Sequence, residues 1–133
     1  MKVVIDTNIL LVSISRRSPF HWIFERLLQG EYTLCVSNEI LSEYAEIINF
    51  HMGSTAAEVT LQSILELPNT EKTDIYFRWN LLKDADDNKF SDCAIASGAD
   101  YLVTHDKGFA ALQALDFPKV KVVSAESFKL LLA

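Results

Sequence analysis

Residues 84–109 read DADDNKFSDCAIASGADYLVTHDKGF, and this stretch decides the fold. The apolar run Cys93 to Ala96 predicts a short helix from about Phe90, and Gly98 is a natural left-handed stop for it. The following apolar run, Tyr101 to Val103, is typical of a strand buried on both faces. The stretch therefore predicts a helix followed directly by a central strand.

Acidic residues stand at both ends of this unit. Asp92 would lie in the first turn of the helix, and Asp106 follows the strand closely. Because alternate strand residues share a face, we expect Thr104 and Asp106 to point together and His105 to point away. Asp92 and Asp106 would then converge above the edge of the sheet.

The remainder of the chain repeats the alternation of short apolar runs and amphipathic segments. We predict further strands at residues 2–5, 32–36 and 120–123. Helices are predicted after Ser18-Pro19, after the capping residues Ser37 and Ser124, and over residues 9–14, 55–67, 73–83 and 108–115. This alternation indicates one α/β domain over residues 1–133, with a mostly parallel sheet flanked by helices.

In such sheets, ligands bind beyond the carboxyl ends of the strands. Asp6 follows the first predicted strand, just as Asp106 follows a later one. Glu43 lies inside the helix after Ser37, between Ile40 and Ile47, and so borders its apolar face. Placing an acid at that margin costs folding free energy unless another group pairs with it, so Glu43 is a third candidate residue for the ligand-binding site.

Composition narrows the class of protein. Half of the 133 residues are apolar, which is enough for a core, and the formal charge is −6. The acidic balance counts against a generic nucleic-acid-binding module, but not against an enzyme whose acids hold cations. No apolar run approaches a membrane span and Asp6 interrupts the opening segment, so we expect a cytoplasmic protein. Cys35 and Cys93 are expected to be reduced core residues.

The candidate carboxylates Asp6, Glu43, Asp92 and Asp106 would repel one another in a single cleft unless cations sat among them. Ligation by carboxylates and water alone suits Mg²⁺ or Mn²⁺. One or two such ions could activate a water for attack on phosphorus and stabilise the leaving oxygen. The residues therefore favour hydrolysis of phosphodiester bonds.

Four short motifs carry a family resemblance: VVIDTN at residues 3–8, SNEILSEY at 37–44, DDNKFSDCAIA at 86–96 and ADYLVTHDKGF at 99–109. In this order and spacing they resemble a PIN domain, most closely the compact VapC-like toxins of toxin–antitoxin systems. The resemblance implies an α/β/α sandwich and a Mg²⁺- or Mn²⁺-dependent ribonuclease that uses Asp6, Glu43, Asp92 and Asp106. It also implies supporting roles for Asn8 and Thr104, a homodimer, and a small antitoxin partner.

The sequence leaves two questions open: which acid near the start of the helix is a ligand, and which function the protein has. Asp87 is another acid, five residues before Asp92, and either or both could be ligands. We favour Asp92, because it begins the helix that leads to the strand before Asp106, and we expect Asp87 at the rim of the cleft. Two other functions fit less well: a PIN-like interaction module without catalysis, and a receiver-type domain that accepts a phosphoryl group on Asp6.

Overall fold

The computed structural model describes residues 1–133 and is built on one all-parallel sheet. Its strands are β1 (Lys2–Ile5), β2 (Thr33–Val36), β3 (Thr70–Lys72), β4 (Tyr101–Val103) and β5 (Val122–Val123). They lie in the order β3-β2-β1-β4-β5. The predicted α/β class is confirmed. The order differs from the 2-1-3-4-5 order typical of receiver domains, which argues against the receiver-type alternative.

Six α-helices flank the sheet: α1 (Thr7–Ile14), α2 (His21–Leu28), α3 (Asn38–Met52), α4 (Ser54–Glu66), α5 (Asn88–Ser97) and α6 (Ala125–Leu132). Two 3₁₀ segments, Ala85–Asp87 and Lys107–Ala114, precede α5 and follow β4. Helix α5 packs against β1, β2 and β4. Val3, Val4 and Ile5 are fully buried, as expected for a central parallel strand covered on both faces.

Capping residues begin and end the helices largely where the sequence predicts. Ser37 Oγ accepts a hydrogen bond from Ile40 N, and Ser124 Oγ accepts one from Ser127 N. Gly98 closes α5 with a φ of +66°, a conformation that favours glycine. Helix α2 begins at His21 instead of Pro19, because Ser18 first closes a turn through its hydroxyl and the Phe20 amide.

The segment 73–83, predicted as a helix, is irregular. Its apolar residues follow no period, and two of its amides bond to side chains of α5. Trp79 N donates to Asp92 Oδ1 at 3.1 Å, and Leu82 N donates to Asn88 Oδ1 at 2.9 Å. Strand β3 is also absent from the sequence prediction, because its residues are polar; it pairs with β2 alone, at the sheet edge.

Helix α5 begins at Asn88, a little before the predicted start at Phe90, because the preceding 3₁₀ turn leads straight into it. Asp87 is therefore the residue at its N-terminus, and Asp92 lies further along the helix. Cys35 and Cys93 are free and fully buried, as predicted, and burial raises the pKa of Cys93 to about 12. None of the helices is both long and apolar enough to span a membrane.

Candidate active site

Asp6 stands at the carboxyl end of β1 and caps α1. Its Oδ1 accepts a hydrogen bond from Ile9 N at 2.9 Å, and its Oδ2 accepts one from the Thr104 hydroxyl. The side chain is 5% exposed. Burial raises the pKa of Asp6, with Asp106 adding to the rise, while the bonds from Thr104 and Ile9 oppose it. The Asp6 carboxylate is thus fixed in position, and its burial makes the ionised form unfavourable.

Thr104 joins Asp6 to Asp106. It follows β4, which pairs with β1 so that Val103 lies opposite Ile5. The Thr104 hydroxyl donates to Asp6 and accepts from Asp106 N at 2.9 Å. Asp106 Oδ1 accepts in turn from Gly108 N at 2.8 Å. The two neighbouring strands therefore deliver two acids to one edge of the sheet, as predicted for Asp6 and Asp106.

Glu43 reaches the same region from α3. Its Oε1 lies 2.6 Å from Lys89 Nζ on α5, and its Oε2 accepts a hydrogen bond from the Thr7 hydroxyl. The next residue, Tyr44, is fully buried and donates its hydroxyl proton to the Ile5 carbonyl, which ties α3 to β1. Glu43 therefore lies at the margin of the apolar face of α3, and it is paired with Lys89, as a partly buried acid requires.

Asp87 supplies the fourth carboxylate. A cavity of about 180 Å³ is lined by four acids, two other polar residues and three apolar ones: Asp6, Glu43, Asp87, Asp106, Thr7, Asn8, Ile47, Phe90 and Phe109. A Cβ atom added to Gly108 would stand 3.2 Å from Asp106 Oδ1 and 3.4 Å from Asp87 Oδ2. Burial raises the pKa of Asp87 to about 6, and the charges of Asp84, Asp106, Asp6 and Glu43 add to the rise.

Asp92 lies elsewhere, so the expected convergence of Asp92 with Asp106 is wrong. Its side chain is 2% exposed and accepts from Trp79 N, which anchors the irregular segment to α5. Five residues along an α-helix turn a side chain by about 140°, so Asp87 and Asp92 point to different sides, and only Asp87 lines the cavity. A sequence signal was present: Asp87, Phe90, Ala94 and Ser97 recur at the spacing of one helical face.

The two supporting polar residues have distinct positions. Thr104 is 4% exposed and bonds directly to the acids, whereas Asn8 is exposed at the mouth of the cavity. His105, expected to point away, contacts Glu126 Oε2 through Nε2 at 3.0 Å. The polar side chains that line the cavity are carboxylates, the Thr7 hydroxyl and the Asn8 amide.

The chemistry of this donor set suits a hard divalent cation, since no thiol or imidazole lines the cavity. The carboxylates surround the cavity without closing on one point, and no three His, Cys, Asp or Glu side chains stand at metal-ligand spacing. Glu43 is drawn instead towards Lys89 and Thr7. About 30 Å³ per water leaves room for a hydrated ion in a cavity of this size.

Comparison with known proteins identifies the family. The PIN domain family matches residues 2–108 of the chain. A chain of VapBC2 from Rickettsia felis, in a crystal structure with a promoter DNA fragment, is 19% identical with a TM-score of 0.65; the match covers 93% of this chain and 98% of that one.

VapC20 of Mycobacterium tuberculosis, described as a Sarcin-Ricin loop cleaving toxin, is 16% identical with a TM-score of 0.61. That match covers 82% of this chain and 93% of VapC20. No curated protein sequence matches. At these identities the structural likeness establishes a VapC-like fold, and the sequence match establishes that the chain belongs to the PIN domain family.

Proposed function

We propose that the protein is a metal-dependent endoribonuclease, the toxin of a toxin–antitoxin pair. The observation that carries the proposal is the convergence of Asp6, Glu43, Asp87 and Asp106 on one small cavity at the carboxyl edge of the sheet. Membership of the PIN domain family supports it, as does the fold shared with VapC20, which is described as a Sarcin-Ricin loop cleaving toxin. Relative to the set predicted from sequence, Asp87 takes the place of Asp92.

The four carboxylates would hold one or two Mg²⁺ or Mn²⁺ ions, which supply a water of lowered pKa and neutralise charge on the leaving oxygen. The chain's own contribution is positioning. Asp6 is fixed by two donors, and Thr104 sets the spacing of Asp6 and Asp106 through one hydroxyl. Fixing the acids before substrate arrives removes the cost of arranging them during the reaction.

Lys89 and Asp87 set the charge of the site. The Lys89 ammonium offsets one of the four negative charges through Glu43. A pKa of about 6 leaves Asp87 mostly ionised at neutral pH and protonated in mild acid. The site would therefore be competent for cations near pH 7 and lose that competence as the pH falls.

The proposed partners follow from the family. The R. felis relative was crystallised as the VapBC2 complex, which supports a small antitoxin partner for this chain. The VapC-like resemblance further suggests a homodimer acting on RNA in the cytoplasm. Co-expression with the product of a neighbouring small reading frame, followed by measurement of the mass of the complex, tests both associations.

Cleavage of a mixed RNA pool tests the proposed activity. Purified protein is incubated with Mg²⁺, Mn²⁺ or EDTA, alongside Asp6→Asn and the control Glu58→Gln, an exposed acid on α4. We expect metal-dependent cutting that Asp6→Asn abolishes and Glu58→Gln leaves intact. Cutting that persists in Asp6→Asn would contradict the proposal, as would the absence of any cutting of the pool by the wild-type protein with either metal.

A further inference from the structure

We propose that an unpaired RNA base beside the cleaved phosphate binds in a second cavity, between the acids and the α1–α2 loop. The proposal rests on the nuclease function and adds the path of the substrate to it. The cavity measures about 360 Å³ and is lined by Asp6, Asn8, Ile9, Val12, Phe20, His105 and Asp106. This volume falls in the range of about 300–1,000 Å³ usual for small-ligand pockets.

The second cavity adjoins the carboxylate cavity. Asp6, Asn8 and Asp106 line both, so a group seated in one lies directly beside the acids of the other. A phosphate held at the acids would therefore place a neighbouring base at this opening. The position fits a base of the same strand that is being cut.

One wall of the second cavity is apolar and partly exposed. Val12 is 39% exposed, Ile9 is buried, and the half-buried Phe20 ring stands edge-on to His105 at a centroid distance of 5.6 Å. Single-stranded RNA is recognised by stacking of its bases on aromatic side chains and by hydrogen bonds to their edges. Such a wall suits the flat face of a base.

A polar group faces the same space. Asn8 is exposed and its side-chain amide makes no hydrogen bond within the protein. An amide offers both donors and an acceptor, which can pair with a base edge. Asn8 therefore serves as a candidate for reading the base that Phe20 stacks against.

The charge near the second cavity differs from the charge beyond Glu43. The loop between α1 and α2 carries Arg16 and Arg17, both exposed and neither paired with a carboxylate. A cavity of about 530 Å³ shares Glu43 with the carboxylate cavity, and half of its lining residues are acids, one of which is paired with Lys89: Glu39, Glu43, Glu46 and Asp86. An RNA strand, negatively charged at every phosphate, is drawn to the arginine side and repelled from the acidic one.

The test combines variants with RNAs that lack single bases. Binding of labelled single-stranded RNA is measured in EDTA, where cutting is suppressed, and cutting is measured with Mn²⁺. The variants are Phe20→Ala, Phe20→Tyr and Asn8→Ala. The matched control is Phe50→Ala, which removes another ring standing edge-on to a histidine, His51, but 82% exposed and away from both cavities.

We expect Phe20→Ala to weaken binding about fivefold or more, the lower end of one lost base stack. Phe20→Tyr should restore binding, and Phe50→Ala should leave it unchanged. An abasic RNA at one position beside the cut should bind wild type as weakly as intact RNA binds Phe20→Ala, with no further loss when the two changes are combined. Asn8→Ala, at an exposed position, should alter which base is preferred there.

The outcomes separate this inference from the proposed activity. Metal-dependent cutting that is indifferent to Phe20, Asn8 and every abasic position would overturn the base site and leave the nuclease standing. Binding that depends on Phe20 and on one base, without cutting under any metal, would support the base site and contradict the nuclease. Loss of binding only in Phe50→Ala would place the RNA on α3 and overturn the inference.

Discussion

Lys89 and Glu43 form a largely buried ion pair across the site, with 2.6 Å between Lys89 Nζ and Glu43 Oε1 and side-chain exposures of 16% and 24%. The pair joins α5 to α3 beside the carboxylate cavity. It places an ammonium where a divalent cation bound to Glu43 would feel its repulsion. Lys89 therefore balances the charge of the acids and would compete with a bound cation for Glu43.

Replacement of Lys89 should tighten metal binding. Lys89→Gln removes a positive charge near the cation, and a relief of only about 1 kcal/mol corresponds to about a fivefold gain in Mn²⁺ affinity. Titration calorimetry with Mn²⁺ measures the effect, with Lys83→Gln as the control, because Lys83 is exposed and forms no ion pair. Weaker Mn²⁺ binding in Lys89→Gln would show instead that Lys89 is needed to orient Glu43.

The Thr104 hydroxyl should be essential for the geometry of the site. Thr104→Val keeps the shape but leaves Asp6 Oδ2 without its donor, while Ile9 N still donates to Oδ1, and the lost bond costs about 1–3 kcal/mol of folding free energy. Thr104→Ser retains the hydroxyl and should stay much closer to wild type in both stability and cleavage rate. Urea unfolding in EDTA measures the stability. A larger loss in Thr104→Ser than in Thr104→Val would show that the methyl contacts of Thr104, and not its hydroxyl, carry the stability.

Asp87 should make folding stability depend on pH. Its pKa rises from an ordinary value of 3.8 to about 6 in the folded protein, mainly through burial. Between these values the folded state binds the proton more tightly than the unfolded chain, so this group's contribution to stability falls as the pH rises through that window. Above and below the window its contribution is constant.

The variant Asp87→Asn isolates this effect. In EDTA it should be more stable than wild type at about pH 7.5, and the difference should shrink towards zero at about pH 4. Urea unfolding of both proteins across this range measures the difference at each pH. A difference that does not change with pH would show that Asp87 is not held in the environment described here.

Local signals in the sequence were sufficient for most of the fold. The buried runs and the caps Ser37 and Ser124 predict β1, β2, β4, β5 and the helices that begin at those caps. The predicted helix over residues 73–83 is wrong because two amides of the segment bond to the side chains of Asp92 and Asn88 on α5, and the apolar pattern of the segment does not reveal these partners. Strand β3 exists only through its pairing with β2, since its own residues are polar.

For the candidate site, too, local sequence signals predict some residues and contacts between elements decide the others. Asp6 and Asp106 were placed by strand ends, which sequence patterns mark well. The choice between Asp87 and Asp92 depended on where α5 begins. Because the helix starts at Asn88 and not at Phe90, Asp87 is the acid at its N-terminus, and that residue lines the cavity. The ion pair of Glu43 with Lys89 joins two helices and could not be seen from spacing alone.

The most direct test compares Asp87→Asn with Asp92→Asn in one RNA cleavage assay with Mn²⁺, with melting temperatures measured in EDTA. We expect Asp87→Asn to fold normally and lose cutting by about a hundredfold or more, as for removal of a group that stabilises charge in the transition state. Asp92→Asn should keep cutting within a few-fold but melt earlier, because it weakens the bond to Trp79 N. The reverse pattern, with cutting lost in Asp92→Asn and kept in Asp87→Asn, would contradict the four-carboxylate site.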